Sequence, residues 1–237
     1  MAKPTLNQRL ARLDRLRDPE RASAVLKPLG ISVGFRVGRD KPSDALVVRQ
    51  VHGTKIVEGN PEGSEQIADG LFLAKPGTIA VASADCLPIL LACPGAPLIM
   101  ALHAGWRSLS EGIVQEASRI WQTRNLCGED FYGVLGPTLC RQHFEVGPEV
   151  VAAFETEGCG FTPEERALLV SRGTGDRSHV DLALAAAMML LSLGLRPEGI
   201  SLIESCTFCH PERWPSWRRD KKFAGSLWSS LELAAIS

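Results

Sequence analysis

Two apolar stretches decide the fold: TIAVASADCLPILL at residues 78–91 and PLIMALHAGWR at residues 97–107. The first begins with a β-prone run, 78–82, and leads into Cys86. The second has the composition of a buried strand and leads into His103. Buried strands that alternate with helical patterns are typical of α/β proteins, so this pair predicts two strands of a mixed α/β domain.

The segments on either side extend this α/β pattern. Leucines at helical spacing predict an amphipathic helix over residues 5–27, before Pro28 and Gly30. Ser108 and Glu111 have the spacing of a capping box, which predicts that another helix begins near Ser108. The other predicted elements are strands at 45–49, 56–57, 131–135 and 200–205 and helices at 148–157 and 181–193. Without an internal repeat or a linker, residues 1–237 are interpreted as a single mixed α/β domain.

The composition excludes several classes of function. The net charge of -1 gives no reason to expect nucleic acid or an anionic membrane as a partner. No apolar stretch has the length and composition of a membrane span, and the polar start lacks an export signal, so we expect a cytoplasmic protein. In a reducing compartment the seven cysteines are free thiols or metal ligands.

Three residues have the chemistry of a metal site. His52 in QVHG, Cys86 in ADCLP and His103 in HAGWR each follow a predicted strand, beside glycine or proline. Strand ends are where α/β proteins place ligands, because the sheet fixes the side chain and the loop leaves room for a substrate. Two imidazoles and one thiolate suit catalytic zinc with an open fourth position. Their wide spacing forms no local signature, so the pattern alone does not establish the site.

A second motif lies at Cys206-x-x-Cys209-His210. It has the letters of a c-type haem attachment site, although that attachment is usually made outside the cytosol, and a second zinc site is the alternative. His143 has no partner by pattern, and Cys140 reads as an incidental thiol.

Five segments together resemble one known family. The resemblance runs from about residue 45 to 233, and its segments are RQVHGTKIV, ADGLFLAKPGTIAVASADCLPILL, LIMALHAGWRSLSEGIV, LGPTLCRQHFEVGPEV and ESCTFCHPERWPSWRRD. This is the laccase-domain, or multicopper polyphenol oxidase, family, whose members are also described as purine nucleoside phosphorylases and peptidoglycan editing factors. The resemblance implies an α/β sandwich with mixed β-sheets, similar to that of the cytotoxic necrotizing factor deamidases.

The same resemblance implies a chemistry and a set of residues. The family's zinc ligands fall on His52, Cys86 and His103. Its members phosphorolyse adenosine, inosine, guanosine and methylthioadenosine, with adenosine deamination as a further activity. The implied partners are therefore a small purine nucleoside and phosphate, with Zn²⁺ as the cofactor and copper the less favoured metal.

Residues around these ligands are candidates for further roles. Backbone amides at a helix beginning near Ser108 would suit phosphate, and Arg107 would add a charge-assisted contact. Asp85 is a candidate proton carrier or orienting group, the alternative being a turn cap. Arg218-Arg219 matches the family's double arginine, of which Arg219 is the candidate for the pocket, and the arginine of the family's N-terminal motif corresponds to Arg36 or Arg39. Trp214 and Trp217 would either stack on a purine or belong to the core.

Three other functions stay open at this point. A cysteine hydrolase or deamidase would use Cys86 as nucleophile and His103 as base. Copper-dependent phenol oxidation is disfavoured, since a multicopper site needs many more histidines than the five present. The last alternative is a non-enzymatic, cell-wall-editing protein with structural zinc.

Overall fold

The computed structural model describes residues 5–16, 26–61, 65–156, 159–223 and 225–235. Its strands are β1 Asp14–Leu16, β2 Ile31–Gly38, β3 Ala45–Leu46, β4 Ile56–Glu58, β5 Gly70–Leu73, β6 Gly77–Ser83, β7 Leu87–Cys93, β8 Leu98–Ala104, β9 Tyr132–Leu135, β10 Glu145–Val146, β11 Val170–Arg172, β12 Ser178–Val180, β13 Ile200–Ile203 and β14 Ser226–Leu233. Its α-helices are α1 Leu6–Leu10, α2 Trp106–Ser110, α3 Ile113–Gln122, α4 Pro148–Ala153, α5 Pro163–Leu169, α6 Leu182–Ser192 and α7 Trp217–Asp220. Short 3₁₀ turns lie at Lys27–Leu29, Gly128–Asp130, Arg141–His143, Pro197–Gly199 and Lys221–Phe223.

The largest sheet has the strand order β1-β13-β9-β7-β8-β5-β4. The pairs β1–β13, β13–β9 and β4–β5 are parallel, and the strands between β9 and β5 pair antiparallel. A four-stranded sheet, β2-β14-β6-β3, is also mixed, and a third sheet of three antiparallel strands has the order β10-β12-β11. The described strands therefore form mixed sheets, as predicted.

Strands β7 and β8 are buried on both faces. Ile89 and Met100 belong to a core formed with helices α3 and α6, whereas Leu90 and Ile99 belong to a second core shared with β6 and β14. Continuous apolar runs such as 87–93 are expected where a strand is covered on both sides. Helices, large sheet and four-stranded sheet thus form three layers, which confirms the predicted α/β sandwich.

The long N-terminal helix is a wrong prediction. A capping box between Thr5 and Gln8 starts α1, but the helix ends at Leu10. Residues 14–16 then form a strand that pairs in parallel with β13, so sheet pairing overrides the leucine pattern there. Residues 17–25 of the predicted helix lie outside the described residues.

Other elements agree with the sequence. Asp181 caps α6 by accepting from Leu184 N at 2.9 Å, and Gly194 after that helix has φ +98°, a left-handed conformation that favours glycine.

The sequence patterns do not predict strand β7. Pro88 is its second residue, ahead of the pairing with β9 that begins at Ile89, so the missing N–H breaks no bond of that ladder. Among the described helices, none is both long and apolar enough to cross a bilayer.

Gly128→Ala tests the contact between the turn before β9 and the end of α6. A Cβ at Gly128 would overlap the backbone oxygen of Leu193, which cannot rotate away as a side chain can. We expect the free energy of unfolding to fall by about 1–3 kcal/mol, measured by urea denaturation. Gly95→Ala is the matched control, because a Cβ there meets no atom within 4 Å. Equal stability of the two variants would contradict this packing.

Candidate metal centre

Two loops and the end of one strand bring His52, Cys86 and His103 together. His52 follows β3, Cys86 lies between β6 and β7, and His103 is the penultimate residue of β8. One ligand atom from each lies within 4.8 Å of the other two, and the histidine ring centroids are 4.8 Å apart at an angle of 76°. His103 is buried, Cys86 partly exposed and His52 exposed. The three residues predicted from widely separated motifs therefore form one cluster that is open on the His52 side.

Asp69, which is fully buried, holds two of these ligands. Its carboxylate accepts hydrogen bonds from the backbone N–H groups of Val51, His52 and Gly53 at 2.7–3.2 Å. Its Oδ1 also lies 2.9 Å from Nδ1 of His103. A carboxylate only accepts hydrogen bonds, so Nδ1 of His103 carries the proton and Nε2 is left for a metal.

The charges in the cluster favour a thiolate. Burial alone would lower the pKa of His103, but Asp69 and Cys86 outweigh it and raise that pKa to about 9. Burial would raise the pKa of Cys86, but hydrogen bonds and charge from His103 and His52 lower it to about 7. Burial likewise opposes ionisation of Asp69, and the donors around its carboxylate still lower its pKa. Without metal, the site therefore tends toward a thiolate–imidazolium pair.

The backbone is strained at one ligand, His52, and at Asp85, which precedes the ligand Cys86. His52 has φ +63° and Asp85 has φ +97°, both in the left-handed region that disfavours side chains. Strain of this kind persists only where surrounding contacts over-determine it. Gly105 adds a steric requirement, since a Cβ there would lie 3.1 Å from Cys86 Sγ and 3.2 Å from His52 Cδ2. The HAG motif therefore keeps space open for the cluster.

Asp85 braces the cavity wall. Its Oδ1 accepts from Thr207 Oγ1 at 2.7 Å and its Oδ2 from Arg218 N at 2.6 Å. Its backbone oxygen accepts from Thr138 Oγ1 at 2.7 Å and from Leu139 N at 3.2 Å. The residue is thus tied to two chain segments that reach the cluster from other parts of the fold.

A cavity of about 580 Å³ opens over the cluster. This volume lies within the range of about 300–1,000 Å³ that small-molecule sites occupy. Its lining is the cluster itself with Gln50, Ala82, Ser83, Ala84, Asp85, Leu139, Phe144, Trp217, Arg218, Gly225 and Ser226. The wall is mainly apolar and includes the guanidinium of Arg218, which suits a flat, partly polar ligand that carries an anion.

The prediction that a helix begins at Ser108 is wrong. Helix α2 begins at Trp106 with Gly105 as its N-cap, so Ser108 lies inside the helix instead of capping it. Its side chain is fully buried, and its hydroxyl has no hydrogen-bond partner among the described residues. Arg107 is exposed, stacks over the Trp106 ring at 4.3 Å and does not line the cavity.

The double arginine is divided between two roles. Arg219 donates to the backbone oxygens of Thr207, Phe208 and Trp214, and it is not part of the cavity lining. Arg218 lines the cavity instead, and its Nη1 donates to the backbone oxygens of His143 and Glu145 at 3.2 and 3.1 Å. Of the two arginines, Arg218 therefore faces the cavity, and Arg219 does not.

The remaining candidates separate in a similar way. Trp217 lines the cavity and is 56% exposed, whereas Trp214 is buried and donates to Ser205 Oγ at 2.7 Å. Arg36 and Arg39 are exposed, near and just beyond the end of β2, and neither lines the cavity.

The sequence patterns assign no role to Asp69, the acidic residue of the ADG segment. Its place directly before β5, as a carboxylate amid apolar residues, was the available signal.

Asp69→Asn should weaken metal binding. An amide has one accepting oxygen, and its NH₂ group would face backbone N–H donors, so the loop at His52 and the His103 ring lose their support. We expect metal affinity to fall by about 10–100-fold and the free energy of unfolding by about 1.5–3 kcal/mol. Isothermal titration with Zn²⁺ and urea denaturation measure these effects. Asp44→Asn, at an exposed position, is the control, and unchanged affinity for Asp69→Asn would refute the orienting role.

The pH dependence of Cys86 alkylation tests the electrostatics. In metal-free protein, the rate for the Cys86 peptide should rise with a midpoint near pH 7, because the imidazoles lower the thiol pKa to about 7. Peptide mass spectrometry after iodoacetamide treatment separates Cys86 from the other cysteines. Exposed Cys127 is the internal reference, since its hydrogen bond to Asp130 raises its pKa above the ordinary value. A midpoint for Cys86 as high as that of Cys127 would contradict the assignment.

The chain is similar in sequence to proteins named purine nucleoside phosphorylases. A purine nucleoside phosphorylase of Deinococcus radiodurans is 31% identical over 222 residues, which cover 93% of this chain and 80% of that protein. The purine nucleoside phosphorylase YfiH of Escherichia coli is 32% identical over 193 residues, covering 79% and 74%.

Solved structures show the same fold. YlmD from Geobacillus stearothermophilus superposes with a TM-score of 0.76 at 23% identity, covering 87% of this chain and 93% of that one. Protein NMB0706 of Neisseria meningitidis gives 0.71 at 26% identity, covering 92% and 83%. The family model described as multi-copper polyphenol oxidoreductase laccase matches residues 35–234. The chain therefore belongs to the multi-copper polyphenol oxidoreductase laccase family, together with relatives named purine nucleoside phosphorylases.

Proposed function

We propose that this protein is a zinc-dependent purine nucleoside phosphorylase whose metal is held by His52, Cys86 and His103. The observation that carries the proposal is the convergence of these three side chains at one end of the cavity, with Asp69 fixing the tautomer of His103. The names of the relatives supply the reaction class. The metal cluster and its cavity support that reaction class.

The donor set fits zinc. Two imidazoles and a thiolate are a known three-ligand set for catalytic zinc, and the fourth position is left to solvent or substrate. The family's description mentions copper, yet the chain has five histidines in all, and only two of them lie in this cluster. Bound there, zinc supplies a Lewis acid that polarises an oxygen of the substrate or of phosphate.

The cavity walls suit the two substrates. Trp217 and Phe144 offer aromatic surface on which a purine stacks. Arg218, held by two backbone carbonyls, offers a fixed positive charge for phosphate. Asp85 is a positioning residue, because both of its carboxylate oxygens already accept hydrogen bonds from the wall.

The proposed reaction transfers a ribosyl group from the purine to phosphate and needs no oxidant or reductant. The bond between C1′ and the purine nitrogen breaks, and a bond forms between C1′ and an oxygen of hydrogen phosphate. The proton of hydrogen phosphate passes to the departing purine, which leaves as the neutral base. The products are free base and ribose 1-phosphate. Adenosine deamination is the further activity that this site is proposed to support.

A cysteine nucleophile is the second candidate function. It is favoured by the lowered pKa of Cys86 beside an imidazolium, which is how cysteine hydrolases activate their thiol. Zinc would occupy the same sulphur atom, so the two functions exclude each other at this residue. Metal dependence therefore separates them.

Product analysis tests the proposed function. We expect loss of inosine or adenosine to require inorganic phosphate and to yield base and ribose 1-phosphate, resolved by chromatography. Hydrolysis would instead give ribose, and deamination alone would keep the glycosidic bond. Turnover of nucleosides that is independent of phosphate would overturn the phosphorylase assignment.

Variants at Cys86 decide between metal ligand and nucleophile. Cys86→Ser should lose the metal and at least about 100-fold in kcat/KM, because a hydroxyl is a poor zinc ligand at neutral pH. Cys86→Asp should keep metal and part of the activity, since a carboxylate also ligates zinc. Cys127→Ser, exposed and outside the cluster, is the control. Inactivity of both Cys86 variants with unchanged metal content would support the nucleophile instead.

A further inference from the structure

Four other side chains converge away from the cavity cluster. Cys140, His143, Cys206 and Cys209 each offer one ligand atom, and these atoms all lie within 4.8 Å of one another. His143 Nδ1 is 3.2 Å from Cys140 Sγ and 3.4 Å from Cys209 Sγ. Tetrahedral zinc with bonds of about 2.0–2.3 Å needs ligand atoms roughly 3.5–3.8 Å apart. Ligand atoms 3.2–4.8 Å apart are close to this spacing, so shifts of about 1 Å or less would bring the cluster to tetrahedral geometry.

The local backbone is built around these ligands. Cys140 directly precedes a 3₁₀ turn that ends at His143. Cys206 likewise directly precedes a turn that ends at Cys209. Both pairs therefore place two ligands three positions apart, one on each side of a single turn. The backbone N–H of Cys140 donates to Cys206 Sγ at 3.2 Å. N–H donors to sulphur offset the negative charge that a thiolate brings to a partly buried place.

This arrangement corrects the sequence interpretation. The motif Cys206-x-x-Cys209-His210 suggested that His210 belongs with the two cysteines, yet His210 Nδ1 lies 3.3 Å from Glu212. The third and fourth members are Cys140, which the sequence pattern predicts to be an incidental thiol, and His143, for which the pattern predicts no partner. A parallel bridge between Thr138 and Cys206 brings the two segments side by side.

We propose that Cys140, His143, Cys206 and Cys209 bind a second, structural zinc ion that clamps residues 138–144 to residues 206–210. Three thiolates and one imidazole fill all four tetrahedral positions, which is the hallmark of structural sites, whereas the cavity cluster offers three. The site does not depend on the proposed function, because none of its ligands lines the cavity.

The proposed zinc site is connected to the cavity wall by two hydrogen bonds. Thr207, between the two cysteines, donates to Asp85, and the backbone oxygen of His143 accepts from Arg218. Both contacts end on residues that line the cavity. Loss of this zinc therefore loosens Asp85 and Arg218 without removing a ligand of the cavity metal.

Metal counting on the purified, full-length protein tests the proposal. Elemental analysis should find about two zinc ions per chain, falling to about one in Cys209→Ser and to about one in Cys86→Ser. Cys209 is exposed, so its substitution disturbs packing least. Cys209→His, which keeps a ligand, should restore the second ion, and His210→Ala is the matched control that should retain both.

Cobalt absorption identifies which site is lost and does not require activity. In the Co²⁺-substituted protein, the sulphur-to-cobalt charge-transfer band should reflect three thiolates at this cluster and one at Cys86. Cys86→Ser should therefore keep most of the band, whereas Cys209→Ser should lose much of it and unfold at a lower temperature.

Three results would overturn the second site. The first is wild-type protein with one metal ion per chain, all of it lost in Cys86→Ser. The second is a Cys209→Ser variant with unchanged metal content. The third is a count, in denatured protein, of five free thiols instead of the seven of the sequence, because a disulfide within the cluster would then hold the turns. Two ions per chain without phosphorolysis would overturn the proposed function alone.

Discussion

One buried carboxylate underlies the whole metal centre. Asp69 is fully buried, and its charge is tolerated only because three backbone N–H groups and the His103 ring donate to it. The same contacts fix the loop that carries His52 and the orientation of His103, so two ligands depend on one group. Because the pKa of Asp69 is lowered in the fold, its stabilising contribution is complete above the ordinary carboxyl range and is lost as the pH falls through the lowered value.

Sequence patterns located the ligands better than the groups around them. His52, Cys86 and His103 stand at ends of apolar runs, and the topology of the sheets brings those ends together. Ser108 was misjudged because the S-x-x-E spacing of a capping box also occurs within a helix that Gly105 has already started. Arg218 and Arg219 are adjacent in sequence, and only the tertiary fold decides which one faces the cavity.

The second cluster also could not be predicted from sequence patterns alone. Its halves are separated by more than sixty positions, from His143 to Cys206, and the adjacent His210 completes a well-known local motif. The bridge between Thr138 and Cys206 brings the two segments together, and the distances from His143 to Cys140 and Cys209 show which histidine belongs to the cysteines. The two metal-type clusters are linked through Asp85, which lies next to Cys86 and accepts from Thr207. The cavity is thus framed by side chains from distant parts of the chain.

The position of β14 has a consequence for the order of folding. This strand lies between β2 and β6, with Leu233 opposite Ile31, so the four-stranded sheet depends on contacts between residues far apart in the chain. Contacts of such separation form slowly. During synthesis at about 5–20 residues per second, β6 leaves the ribosome on the order of ten seconds before β14 is made. Throughout that interval the apolar face of β7 and β8 lacks its cover, so the nascent chain is most prone to aggregation then.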